Sequence, residues 1–213
     1  MIRHAVLINA GNSTSDRIPG CQRDVERLKD WLTSTAGGAW NSNEIDILHN
    51  PSKSEILLAK VALDRADFAF LSFSGHGRIV ENSVGSRAQI VTVGAGDEMD
   101  FDDLKPRDPK SILSCDACRK VHRLAESRHA TATKSLDKLA REIKGHTRQD
   151  YRNSFERAVE LTPAGVFTMY SCSPGQFAGE DPLNGGVFTD ALLNRASEMD
   201  QARLCLTEAL RRQ

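Results

Sequence analysis

The octapeptide DFAFLSFS, residues 67–74, constrains the fold of this chain more than any other stretch. Four of its residues are large and apolar, and glycines follow at Gly75 and Gly77. Unbroken apolarity of that length suits a strand covered on both faces, as in a parallel sheet. Similar runs recur at Ala5–Asn9 (AVLIN), Glu44–Leu48 (EIDIL), Ser111–Cys115 (SILSC) and Gly165–Ser171 (GVFTMYS). Helical patterns lie between them. Cys21–Thr35 puts Val25, Leu28, Trp31 and Leu32 on one stripe, and Ser52–Arg65 does so with Ile56, Leu57, Val61 and Leu63. Gly186–Ala196 reads as a further short helix with Val187, Ala191 and Leu192 inward. Alternation of strand and helix predicts an α/β fold with right-handed crossovers.

Length and composition set the outer limits. A chain of 213 residues suits one domain, residues 1–213. Hydrophobic residues at 39%, with 15 glycines, supply an ordinary globular core. A net charge of −1 gives no field for nucleic acid or membrane partners. No run reaches the ~18 apolar residues of a membrane span, and MIRHAVLINAG reads as a first strand, not a signal peptide. Five cysteines, an odd count, fit reduced thiols in a cytoplasmic protein. Two segments break the rhythm. Residues 78–110 read as a small hairpin and an acidic loop, and Arg119–Arg148 carries nine Lys/Arg against three Asp/Glu.

Open α/β sheets place their sites at the carboxyl ends of parallel strands. There the sequence puts SGHG, residues 74–77, and CDAC, residues 115–118. Neighbouring strands would bring His76 and Cys118 to one edge, where an imidazole can raise the thiolate population and later protonate a leaving amine. The amides of Gly77 and Cys118 could face an oxyanion, worth ~3–4 kcal/mol per donor. Spacing alone equally allows Cys118 as a small buried hydrophobe and His76 as a turn residue. A redox pair of Cys115 with Cys118 also fits the spacing, and a zinc site through His122 and His129 fits it poorly.

SFSGHG, DAC, YSCSPGQFAGE with GGVFTDALL, and the upstream IPGCQRDVERLKDWL stand in the order of the caspase–metacaspase superfamily of cysteine peptidases, which this sequence resembles from the first strand to about Ala196. The resemblance implies a three-layer sandwich: a mostly parallel central sheet with helices on both faces. It makes Cys118 the nucleophile, His76 the general base and Cys115 a core residue. It implies that Cys21, Asp24, Ser74 and Asp116 line the S1 pocket, with Ala178 and Glu180 flanking the extended substrate. Two carboxylates favour a cation, so cleavage after Arg or Lys is expected. Cleavage after Asp would need a basic pocket, for which Arg17 is the candidate.

By the same resemblance, residues 119–150 occupy the place of a basic intersubunit linker, open to self-processing or an upstream activating protease. Relatives of this size act in bacterial stress, cell death or defence. Calcium, required by many metacaspases, could be held by Asp97, Glu98, Asp100, Asp102 and Asp103, but two of the family's calcium aspartates lack a match, so no essential metal or other cofactor is expected. The alternative function is a catalytically silent module that docks partners through the same groove. Ser197–Gln213 reads as helix where caspases have their dimerising last strand, which favours a monomer.

Overall fold

The computed structural model describes residues 1–81, 85–107, 110–120 and 146–211, the last twelve of these as backbone only. Along the chain run β1 (Arg3–Ala10), α1 (Gly20–Thr33), β2 (Ile45–His49), α2 (Lys53–Leu63), β3 (Phe68–Gly75), β4 (Gly77–Glu81), β5 (Arg87–Thr92) and β6 (Glu98–Asp100). Then follow β7 (Lys110–Asp116), α3 (Arg148–Leu161), β8 (Gly165–Tyr170), β9 (Glu180–Asp181), β10 (Gly185–Gly186) and α4 (Val187–Arg211).

Five strands form one parallel sheet in the order β2-β1-β3-β7-β8. Because side chains alternate along a strand, the parity of residue numbers assigns them to faces. Val6, Ile8, Leu71, Phe73, Leu113 and Cys115 point one way, into a core closed by Ile56 and Leu63 of α2 and by Val91, Met99 and Phe101. Ala5, Leu7, Phe68 and Phe70 point the other way, against Val25, Leu28 and Leu32 of α1, Val159 of α3 and Leu193 of α4. The expected three layers are therefore present. Serines and an aspartate, Ser72, Ser74, Ser114 and Asp116, continue this second face towards the strand ends, all buried. Small polar side chains there leave room that phenylalanines fill lower down.

Local chemistry fixes the elements. Ser52 and Glu55 cap α2 reciprocally, Ser52 N–H on Glu55 Oε2 at 2.8 Å and Glu55 N–H on Ser52 Oγ at 3.3 Å, and Thr147 with Asp150 does the same for α3. Arg3 is fully buried, its guanidinium 4.7 Å from the Trp40 ring and 5.2 Å from that of Phe155, with Glu44 at 3.3 Å. Glu44 also takes Arg152 of α3, which ties that helix to the sheet.

Three details differ from the sequence reading. Residues 78–110 hold a three-stranded antiparallel sheet, β4-β5-β6, instead of one hairpin and a loop. On α2, Leu57 and Val61 face solvent while Ile56, Ala59 and Leu63 face the core, because 3.6-residue geometry cannot turn all five inward. On α4, Thr189 and Leu193 are buried while Val187 and Ala191 are exposed. The stripe is rotated because a buried carboxylate, Asp116, recruits Thr189. Of the basic stretch, 121–145 lies outside the described residues, as do the Cys205 side chain and His122 and His129. Arg148 already begins α3. Among the described residues, no helix is long and apolar enough to cross a membrane.

Candidate active site

Parallel pairing of β3 with β7 aligns Ser74 with Asp116. Two steps further along each strand come His76 and Cys118, so both leave the sheet at the same edge from adjacent strands. Gly77 lies against the residue before Cys118: a Cβ there would meet Ala117 Cβ at 2.8 Å. The structure thus carries the backbone of His76, Gly77 and Cys118 to one end of the sheet.

The His76 ring is oriented by backbone. Its Nε2 lies 2.5 Å from the carbonyl oxygen of Asp16. A carbonyl only accepts, so Nε2 carries the proton and, in the neutral ring, Nδ1 holds the free lone pair. The loop bearing Asp16 is itself pinned, by Ile18 N–H on Gly11 O at 2.8 Å and Ser13 Oγ on Ala10 O at 2.7 Å. Cys118 is half-buried, and its thiol receives the backbone N–H of Ala178. Burial pushes the thiol above its usual range; that N–H and the Lys120 charge oppose the shift without cancelling it. Cys115 is fully buried among apolar side chains, and burial raises its thiol strongly. Both thiols are free.

Beside this edge lies a buried acidic cluster. Asp24 and Asp116 are 1% and 5% exposed, on α1 and at the end of β7. Ser74 Oγ donates to Asp24 Oδ2 at 2.5 Å and Gly186 N–H to Asp24 Oδ1 at 2.7 Å. Thr189 Oγ1 donates to Asp116 Oδ2 at 2.8 Å. The two carboxylates flank one point: a Cβ on Gly186 would overlap Asp116 Oδ2 and lie 3.2 Å from Asp24 Oδ2. Only glycine fits there. Gly185 is constrained likewise, with φ +92° and its open side against Asp24 Oδ1.

Electrostatics follow from that crowding. Burial first, then the charge of Asp116, pushes Asp24 up to about 7, against the hydrogen bonds and the Arg27 charge that favour ionisation. Burial raises Asp116 too, despite Thr189 and Ser171. Cys21, buried next to Ser74 and near Asp24, Glu180 and Asp116, is pushed up to about 12 by burial first, so it stays neutral beside the carboxylates. Glu180 accepts the Gly20 N–H at 2.8 Å at the pocket's rim. Arg17 is exposed, while Arg27 is paired with Asp190 at 2.7 Å.

Sequence reasoning missed Thr189, Gly186, Arg27 and the Asp16 carbonyl. A helix-start threonine and a backbone oxygen carry no mark in sequence. The acidic run is engaged elsewhere: Glu98 pairs with Arg78 at 2.7 Å, Asp102 with Lys105 at 3.0 Å, and Asp100 Oδ1 accepts the Asp102 N–H at 2.9 Å. Among the described residues no three such side chains are grouped to hold a metal ion.

Residues 2–212 match the family described as the caspase domain, and the chain belongs to that family of cysteine peptidases. Among solved structures it is similar to caspase-1 from Spodoptera frugiperda, with TM-score 0.52 and 16% identity over 90% of this chain and 68% of that one. It also aligns with the Drosophila initiator caspase Dronc, with TM-score 0.38 and 15% identity over 55% of this chain and 52% of that one. The first likeness shows the fold; the second adds no argument. No curated protein sequence matches this one.

Proposed function

We propose that this chain is a cysteine endopeptidase that cuts proteins after arginine or lysine, with Cys118 as nucleophile and His76 as general base. The observation that carries the specificity is the pair of buried carboxylates, Asp24 and Asp116, flanking Gly186 beside Cys118. Their desolvation is costly without a cation, and a guanidinium that engages both carboxylates repays it. Caspases that cut after aspartate need the opposite charge in this place, and Arg17 is exposed on the loop before α1.

The chemistry follows from the groups present. His76 Nδ1 takes the proton of the Cys118 thiol, and the sulfur attacks the scissile carbonyl. The Gly77 and Cys118 amides receive the developing oxyanion. His76 returns the proton to the departing amine, and water then hydrolyses the thioester. Cys21 and Ser74 wall the pocket, and Ala178 and Glu180 flank the residues before the cut. The substrate is a protein or peptide with a basic residue. The setting implied by the resemblance is a bacterial stress, death or defence response, with an upstream protease as activator.

Digesting a peptide library with and without calcium tests this reading. Cuts after Arg and Lys, independent of calcium, are expected. Cuts after Asp, or cuts only with calcium, overturn the specificity or the metal-free assignment. A protein that cuts nothing, and whose Cys118 is not labelled by an arginine-based electrophile, is the silent docking module.

Acidity should modulate binding in a set direction. A guanidinium needs both carboxylates ionised, and Asp24 titrates at about 7, so affinity for an arginine-mimetic inhibitor should rise from pH 6 to pH 8, followed by thermal shift. The stability term has the opposite sign. Asp24 holds its proton to about 7 when folded and to 3.8 when unfolded, so its contribution falls as pH rises between those values. A ligand-free protein that becomes more stable over that window on Asp24→Asn fits this. Affinity that is flat with pH would contradict it.

A further inference from the structure

The peptide joining Cys118 to Arg119 is held at both ends. Its carbonyl oxygen accepts from Gln89 Nε2 at 3.1 Å, and its N–H donates to Gln176 O at 3.0 Å. A peptide fixed at both polar atoms cannot rotate, which pins the backbone on the carboxyl side of Cys118 and so the Cα that carries its sulfur.

Gln89 reaches this peptide from a different layer. It sits on β5, in the small antiparallel sheet, 6% exposed and paired with Ile79 of β4. Its amide is used three ways. Nε2 donates to Cys118 O and, at 3.4 Å, to Ile90 O, while Oε1 accepts from Arg119 Nε at 3.1 Å. Arg119 continues outward, its guanidinium 3.9 Å from the Tyr170 ring centre and Nη1 3.4 Å from Cys172 O. Gly77 makes the approach possible: a Cβ there would lie 2.9 Å from Gln89 Nε2. The glycine after the histidine therefore opens the passage for a buried amide.

We propose that Gln89, with Arg119 as its counterpart, is the positioning residue of the nucleophile, aligning the Cys118 sulfur and amide on one substrate carbonyl. The assignment rests on Cys118 being the nucleophile. Gln89 touches no substrate; it acts through the peptide it holds. A buried amide bridging two layers for packing alone would be replaceable by an isostere. One that aligns an attacking group would not, since a misplacement of about 1 Å costs on the order of 100-fold in rate.

Two variants separate the parts. Gln89→Glu keeps an acceptor for Arg119 but presents no amide donor to the Cys118 carbonyl; Gln89→Met keeps the length and loses both. With an arginyl reporter, both are expected to lower kcat by roughly 10- to 100-fold with KM within about twofold of wild type. Amide hydrogen exchange without substrate supplies a readout that does not need turnover: the Arg119 N–H should exchange faster in both. Wild-type kcat in Gln89→Glu overturns the proposal. So does unchanged protection at Arg119, or a parallel loss of kcat, KM and melting temperature, which marks a packing role. A wild-type protein that cleaves no reporter sinks the peptidase reading, while the exchange arm still decides whether Gln89 holds the peptide.

Discussion

Asp116→Ala is expected to lower kcat/KM for an arginyl reporter by about 2–5 kcal/mol, roughly 30- to several-thousand-fold. Removing one of two desolvated carboxylates leaves a guanidinium with a single partner. The same change relieves the repulsion that helps raise Asp24, so Asp24 should titrate closer to the usual carboxylate range. Loss of activity should accompany a lower Asp24 pKa at an unchanged melting temperature, and the melting temperature separates a local defect from unfolding. Reporter assays and NMR titration of Asp24 measure the two. An unchanged rate, or better turnover of an aspartyl reporter, would overturn the basic-pocket assignment.

Cys118→Ala should abolish turnover altogether, a loss of roughly 10⁶-fold such as removal of a hydrolase nucleophile produces. His76→Ala should fall nearly as far, and the double variant no further, because the two groups act as one unit. The half-buried thiol lies above its usual range, so unassisted thiolate is scarce at neutral pH. Alkylation of Cys118 by a neutral electrophile should therefore slow in His76→Ala. Persistent cleavage by Cys118→Ala would move the chemistry to another residue.

Much of this was legible beforehand. The apolar runs announced the strands because burial on both faces admits no polar alternation, and β3 and β7 lie where DFAFLSFS and SILSC predict. The resemblance grouped Cys21 and Asp24 with Ser74 and Asp116, and in the structure Asp24 accepts from Ser74 with Cys21 next to it. The sequence hid interactions that cross layers. Gln89 lies in RAQIVT, where an exposed polar residue is the simplest reading, and only the fold brings its amide to Cys118. Thr189 could be found only after Asp116 was known to be buried, since a threonine at a helix start carries no mark of the carboxylate it meets.

The in-register junction of β3 and β7 has a mechanical corollary. The last rung of that ladder, Ser74 with Asp116, lies two residues before His76 and Cys118, so the chain ends that carry them start from strands held at the inter-strand repeat of about 4.8 Å, the least compliant dimension of a sheet. Surface segments can lengthen or drift without separating the reacting pair. Gradual heating should leave turnover intact until the ladder itself parts, and inactivation and melting should then share one midpoint.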